Sequence, residues 1–136
     1  MKKEIRQNWH FNQLPQVVWE YLTKPELIGQ WLGETDFQPL KGRKFRFISP
    51  YGNDSICEVL EIIPHSKLSY SWQKNSAKDG LPFYSTIEWT LIPTETGTEL
   101  QLLHHGFRTA EDIMPHENGW NYCHKQIEKL LTPVEL

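Results

Sequence analysis

The feature that most constrains the fold is a two-residue alternation of apolar and polar side chains that recurs, between turns, through residues 44–107. Phe45 and Phe47 alternate with Lys44 and Arg46, and Leu68, Tyr70 and Trp72 with Ser69 and Ser71. Ile87, Trp89 and Leu91 alternate with Thr86, Glu88 and Thr90, and Leu100, Leu102 and His104 share one face of the next segment. Successive side chains on a strand point to opposite faces, so each segment has one apolar side, as in a sheet covered on one face. Turn signals at Tyr51-Gly52-Asn53-Asp54, Pro64-His65-Ser66 and Thr94-Glu95-Thr96-Gly97 separate the segments and predict an antiparallel meander. Ser55–Ile63 is ambiguous, because Ile56/Leu60/Ile62 and Cys57/Val59/Ile63 are both apolar sets. Glu58 and Glu61 point to opposite faces of a regular strand. One of them then leans toward the covered side and needs a partner, such as an arginine or a tyrosine hydroxyl.

The flanks have a different texture. Ile5, Trp9 and Phe11 alternate with Arg6, Asn8 and His10, which predicts a first strand with Gln7 as the polar exception on its apolar side. Pro15 suits a first helical turn, Val18, Tyr21 and Leu22 follow at helical spacing, and Pro25 interrupts; a second short helix is expected over 25–31. After residue 107 the period is again helical, with Trp120, Cys123, His124, Ile127, Leu130 and Leu131 on one face of a helix around 119–131 and Pro133 where it should stop. The order predicts an α+β fold: a curved antiparallel sheet wrapped around a long C-terminal helix, with two short helices after the first strand. A sheet gripping a helix encloses a concave, mostly apolar space, the usual shape of a small-molecule site.

Composition narrows the function classes. At 136 residues, with no repeat, linker or low-complexity tract, the chain is expected to form one domain over 1–136, large enough to fold without disulfides or metal. Six Trp, six Phe and five Tyr predict an aromatic core. A net charge of -3 offers no general attraction to nucleic-acid phosphates. No apolar run is long enough for a signal peptide or membrane span, so a cytoplasmic location is expected, with Cys57 and Cys123 as free buried thiols. The sequon Asn53-Asp54-Ser55 then marks only a turn. The basic run Lys41-Gly42-Arg43-Lys44-Phe45-Arg46 reads as alternation, with Lys44 and Arg46 in solvent and Phe45 and Phe47 inward.

No motif announces catalysis. HExxH, paired cysteines, a Gly-x-Ser-x-Gly elbow and a glycine-rich phosphate loop are all missing from the sequence, and His104 and His105 point to opposite faces of one strand. Neither a metal nor a cofactor is expected. His104 stands out because it lies on the apolar face set by Leu100 and Leu102. An imidazole there either orients a ligand, or moves a proton, or is simply held in the core by a hydrogen bond. His124 is aimed toward the sheet by its spacing from Trp120, or else sits at the helix edge. Together with Phe45, Phe47, Tyr70, Trp72, Trp89 and Trp120, these two histidines form the candidate ligand-binding set; the alternative for the aromatics is plain core.

The ordered series Val18-Trp19, Leu22-Thr23, Pro25-Glu26, Trp31, Phe37, Pro39, Gly42, Phe45, Phe47, Glu58 to Ile62, Pro64, Leu68, Ser71-Trp72, Trp89-Thr90-Leu91, Gly97-Thr98, Leu100, Leu102, His104, Gly106-Phe107 and Gly119-Trp120 covers nearly the whole chain. In this series the sequence resembles the START-like (SRPBCC) domains, and within them those similar to the C-terminal domain of the activator of heat-shock-protein-90 ATPase. Arg43 stands where that family often has a second glycine. The resemblance implies a helix-grip domain with a ligand cavity, but the scaffold hosts lipid carriers, receptors, cyclases and chaperone regulators alike. The leading expectation is a protein that holds a small hydrophobic or aromatic molecule in an internal cavity between sheet and C-terminal helix. Regulation of a chaperone through an exposed apolar patch is the second, weighed against by the lack of the eukaryotic activator's long amino-terminal domain. A cyclase or hydrolase-like enzyme using His104 and a carboxylate is the third.

Overall fold

The computed structural model describes residues 4–48, 54–76 and 78–131. Strand β1 (Ile5–Phe11) leads into helices α1 (Pro15–Thr23) and α2 (Pro25–Ile28) and a short strand β2 (Glu34–Thr35). Strands β3 (Lys44–Ile48), β4 (Ser55–Ile63), β5 (Lys67–Asn75), β6 (Pro82–Thr94) and β7 (Gly97–His105) follow, and a single 3₁₀ turn at Ala110–Asp112 opens into the long helix α3 (Ile113–Leu130). The seven strands form one sheet in the order β1-β7-β6-β5-β4-β3-β2, antiparallel throughout. Its concave face grips α3, the helix-grip arrangement that the alternating and helical periods predict.

The predicted faces hold strand by strand. Ile5, Trp9 and Phe11 are buried, as are Phe45 and Phe47, Leu68, Tyr70 and Trp72, Ile87, Trp89 and Leu91, and Leu100, Leu102 and His104. Gln7 earns its place among apolar neighbours by bridging: its Oε1 accepts from Trp9 Nε1 at 2.9 Å and its Nε2 donates to Asn121 Oδ1 on α3 at 3.0 Å. The turn at Thr94-Glu95-Thr96-Gly97 closes the β6–β7 hairpin. Gly97 has φ +156°, and a Cβ there would stand 2.1 Å from the Phe11 carbonyl oxygen, so the hairpin can lie against the end of β1 only with glycine at this position.

Strand β4 departs from the regular strand expected of it. The register with β5 shifts between Val59 and Glu61, a bulge that inserts Leu60 as an extra residue. Cys57 and Val59 face the core before the bulge and Ile62 packs against it afterwards, which accounts for two interleaved apolar sets in one strand. The bulge also overturns the argument that Glu58 or Glu61 must lean inward. With one residue added between them, neither is buried: Glu58 is half-buried at the outer face, and Glu61 is exposed and paired with Lys67 Nζ at 3.3 Å.

The helices differ from expectation at their ends. Helix α2 stops at Ile28, short of 31, where turn-type bonds from Gln30 and Trp31 to the carbonyls of Leu27 and Ile28 take over. Helix α3 begins at Ile113, well before residue 119. Pro115 lies in its first turn, where the missing N–H has no intrahelical partner to lose. Trp120, Ile127 and Leu131 are buried on its apolar face, but Leu130 is 38% exposed. The expected stop at Pro133 and most of the turn at 51–54 lie outside the described residues. Among the described residues no helix is long and apolar enough to cross a membrane.

Candidate ligand-binding cleft

The space between α3 and the sheet divides into a filled part and an open part. In the filled part Trp9, Trp31, Trp89 and Trp120 meet ring to ring, with centroids 5.4 Å apart for Trp9 and Trp89, 6.0 Å for Trp31 and Trp89 and 5.4 Å for Trp89 and Trp120. Each indole N–H has a partner: Trp9 donates to Gln7 Oε1, Trp31 to the Tyr21 carbonyl at 2.9 Å, Trp89 to Tyr70 Oη at 3.0 Å and Trp120 to His104 Nδ1 at 3.0 Å. Phe37, Phe45, Phe47 and Tyr70 extend the cluster toward β3, and Phe47 stacks on Trp72 at 4.9 Å. The small void left among Leu22, Trp31, Phe47 and Tyr70 has no room even for a water-sized sphere. The enclosed cavity expected between sheet and helix is therefore filled, because the indoles of Trp9, Trp31, Trp89 and Trp120 occupy its volume. Phe45, Phe47, Tyr70 and Trp89 are placed in that packed core.

His104 is fully buried and both its ring nitrogens are engaged. Trp120 Nε1–H donates to Nδ1, so Nδ1 carries the lone pair; Nε2 therefore carries the hydrogen and lies 2.8 Å from Ser85 Oγ, which sits 3.3 Å from the Trp72 carbonyl oxygen. The neutral tautomer is fixed by its neighbours. Burial, reinforced by His116 and His105, pushes the pKa of His104 down to about 3. Among the described residues its partners are an indole and a hydroxyl, with no carboxylate, and neither ring nitrogen is free. The hydrogen-bonded core histidine is the reading the geometry supports. His105 faces outward and pairs with Glu88 Oε2 at 2.8 Å, the opposite-face placement the alternation requires. His124 lies off the cleft, stacked flat on Trp9 at 4.7 Å with Nε2 3.4 Å from Glu128 Oε2.

The open part is a cleft of about 400 Å³, accessible to solvent, between the N-terminal half of α3 and the end of β5. One wall is a single helical stripe, Asp112, Pro115, His116, Gly119, Trp120 and Cys123, at steps of three and four residues. The facing wall is Trp72, Lys74 and Asn75 from β5 with Leu32 beyond α2. Of the eight candidate residues, only Trp72 and Trp120 line this cleft. The Asp112 carboxylate anchors its end: Oδ2 accepts from Ser76 Oγ at 2.9 Å and from Thr109 Oγ1 at 2.6 Å, tying the β5–β6 loop to the start of α3. Arg108 and Asp79 make a second tie between the same segments.

Two polar atoms of these wall residues are buried out of reach of solvent and unpaired, that of His116 on a ring packed against Phe83, His104 and Phe107. Trp72 is 9% exposed, yet its Nε1 has no hydrogen-bond partner among the described residues, and neither has His116 Nε2. His116 Nδ1 lies 2.7 Å from the Asp112 carbonyl oxygen, which can only accept, so Nδ1 carries the hydrogen and Nε2 is a bare acceptor in the neutral ring. Burial comes first among the causes that hold the His116 pKa below the ordinary value. Cys123 is a neutral thiol, pushed up to about 11 by burial, and Cys57 is pushed up likewise; both are free, Cys57 buried and Cys123 half-buried. Among the described residues no group of His, Cys, Asp and Glu is arranged to hold a metal ion.

The sequence pattern did not single out Leu32, Lys74, Asn75, Asp112, Pro115, His116 and Gly119 as site residues. The signal that could have found the helical wall is the 112-115-116-119-120-123 stripe, which becomes visible only if α3 is allowed to run through Pro115 and Gly119.

Comparison with known proteins places this geometry in a family. The sequence profile described as Activator of Hsp90 ATPase homolog 1-like protein matches residues 12–132. The crystal structure of protein MLL2253 from Mesorhizobium loti superposes with a TM-score of 0.88 at 31% identity, over 98% of this chain and 100% of that one. The Aha1 dimer of Colwellia psychrerythraea, solved in solution, superposes with a TM-score of 0.79 at 17% identity over 96% of each chain. DynU16, from the dynemicin biosynthetic locus, gives 0.84 at 20% identity over 96% of this chain and 48% of its own, a likeness of fold alone. No curated protein matches the chain. With a profile match spanning most of its length and the same helix-grip architecture, the chain belongs to the Activator of Hsp90 ATPase homolog 1-like family.

Proposed function

We propose that this protein binds a small, largely apolar aromatic molecule in the open cleft between α3 and β5, against the edges that Trp72 and Trp120 contribute to its lining. The observation that carries the reading is Gly119. It sits in the middle of an 18-residue helix, where glycine costs about 1 kcal/mol relative to alanine, and a Cβ built on it meets nothing within 4 Å. Neither backbone conformation nor close packing requires glycine here; what the missing side chain does is leave the mouth of the cleft clear. A volume of about 400 Å³ falls in the range of small-molecule pockets, roughly 300–1,000 Å³. The family description also suggests a chaperone-regulator reading. Its working surface would be an exposed apolar patch, for which the outer face of the sheet around Ile48, Ile56 and Tyr84 is a candidate, whereas the cleft has the shape of a small-molecule pocket.

Mass spectrometry of the purified protein under native and denaturing conditions tests the reading, with a bound molecule released only on unfolding as the expected result. Tryptophan-fluorescence titration with 2-naphthol gives a second readout that needs no co-purified ligand. Gly119→Leu, which places a side chain in the cleft without a backbone conflict, is expected to weaken 2-naphthol binding at least ~10-fold while the protein stays at least as stable as the wild type. A Gly119→Leu protein that binds as well as the wild type would contradict the proposal.

A further inference from the structure

We infer that the molecule bound in the cleft is an aromatic acid, whose carboxylate pairs with the Lys74 ammonium. This rests on the binding reading above and names the chemistry of its ligand. Lys74 follows Trp72 by two residues on β5, so strand alternation sends both toward the concave face of the sheet. Its cross-strand partner Phe83 is buried, and Lys74 itself is half-buried in the lining of the cleft. Burial is the main influence on the ionisation of His116 on α3 and of Cys57 on β4, and the Lys74 charge is felt at both.

Among the described residues two lysines are half-buried, both on β5, and their surroundings differ. Lys67, at the start of the strand, is held by two carboxylates, with Nζ 3.3 Å from Glu61 Oε1 and 3.9 Å from Glu88 Oε1. Lys74, near the end, has neither an ion pair nor a hydrogen bond to its ammonium among the described residues. A cation drawn partly out of water without a counterion is costly, so a ligand that brings a carboxylate is favoured over a neutral one of the same shape. Asp112 also carries a formal charge in the lining, but it is buried and its carboxylate is taken up by the Ser76 and Thr109 hydroxyls. Its negative charge keeps the ligand carboxylate away from the start of α3 and on the Lys74 side of the cleft. Leu32, Pro115, Trp120 and Cys123 leave an apolar lining for the ring.

Isothermal titration calorimetry of the full chain at neutral pH compares naphthalene-2-carboxylate with naphthalene-2-carboxamide, a neutral molecule of nearly the same shape, and uses 2-naphthol as the probe of the cleft itself. The wild type should bind the carboxylate about 5- to 20-fold tighter than the carboxamide. That advantage should shrink as salt is raised from about 0.05 M to about 0.5 M, because the pair is only partly shielded from solvent. In Lys74→Met the advantage should vanish while the carboxamide binds as before, which also reports that the cleft has kept its shape. Lys74→Arg, which retains the charge, should keep most of it. Equal affinity of the wild type for carboxylate and carboxamide, with 2-naphthol still bound, would overturn this inference and leave the binding reading standing. A carboxylate advantage that survives Lys74→Met would overturn it by taking recognition away from Lys74. Failure of all three probes to bind would overturn both.

Discussion

Two tryptophan environments lie side by side under α3 and differ in one respect. Around Trp89 the rings are packed on all sides and every indole named above has an acceptor, whereas at Trp72 one edge meets solvent-accessible space and the N–H is unpaired. The two residues occupy equivalent positions, inward-facing on neighbouring strands β5 and β6, so strand position does not set them apart. What differs is the helix above. Over Trp89 the helix supplies Trp120, while toward the end of β5 it supplies Gly119 and His116. A single helix thus closes the core with one part of its stripe and keeps a cleft open with another. Packing serves stability in the first place and recognition in the second.

Cutting into each region separately gives the largest contrast. Trp89→Ala should cost about 3–5 kcal/mol or prevent folding, because it removes a fully buried indole together with the partner of Tyr70. Trp72→Ala, at the rim of existing space, should cost markedly less and abolish 2-naphthol binding. Urea denaturation of both variants checks this, and equal losses would erase the distinction.

Acid probes the filled region through His104. The unfolded His104 takes up a proton below about 6.5, but the folded ring does so only near 3. Between these values the unfolded state binds more protons, so the contribution of His104 is complete above pH 6.5 and is lost as pH falls toward 3. The loss should amount to a few kcal/mol, on the order of the shift itself. Denaturation midpoints measured between pH 7 and 4 should fall less steeply in His104→Gln, and an unchanged slope would mean that the buried imidazole is not the group responsible.

Glycine substitutions sharpen the comparison further. Gly97→Ala pushes a Cβ against the Phe11 carbonyl and should lower stability by about 1–3 kcal/mol. Gly119→Ala has open space before it and should raise stability by about 0.5–1 kcal/mol, through helix propensity alone. Thermal unfolding of the pair reads both signs, and a destabilised Gly119→Ala would show that this glycine serves packing after all.

Most of the sheet was legible because strand alternation is a local code: Phe45, Tyr70, Trp89 and Leu102 reveal their faces through their immediate neighbours. Strand β4 was not, since a bulge breaks that code at Leu60 and only its pairing with β5 shows where the phase changes. The first two turns of α3 were hidden by Pro115 and Gly119, residues that read as loop although the first is harmless in an opening turn and the second is tolerated at a cost. The state of His104 is set by Ser85 on a neighbouring strand and by Trp120 on α3, and the unpaired atoms of Trp72 and His116 are defined by partners that fail to arrive. Both are facts of the folded arrangement rather than of sequence spacing. Two of the cleft's residues, Trp72 and Trp120, were singled out as large inward aromatics, but nothing local separates them from Trp89.

The central claim is that Trp72 belongs to a binding cleft and Trp89 to a sealed core. Indole N–H resonances followed by ¹H–¹⁵N NMR during titration with 2-naphthol, and assigned with Trp72→Phe and Trp31→Phe, test it most directly. The account predicts that the Trp72 and Trp120 signals shift through contact with the bound ring, with Trp31 and Trp89 nearly still. A titration in which Trp89 moves and Trp72 does not, or in which no indole responds, would contradict it.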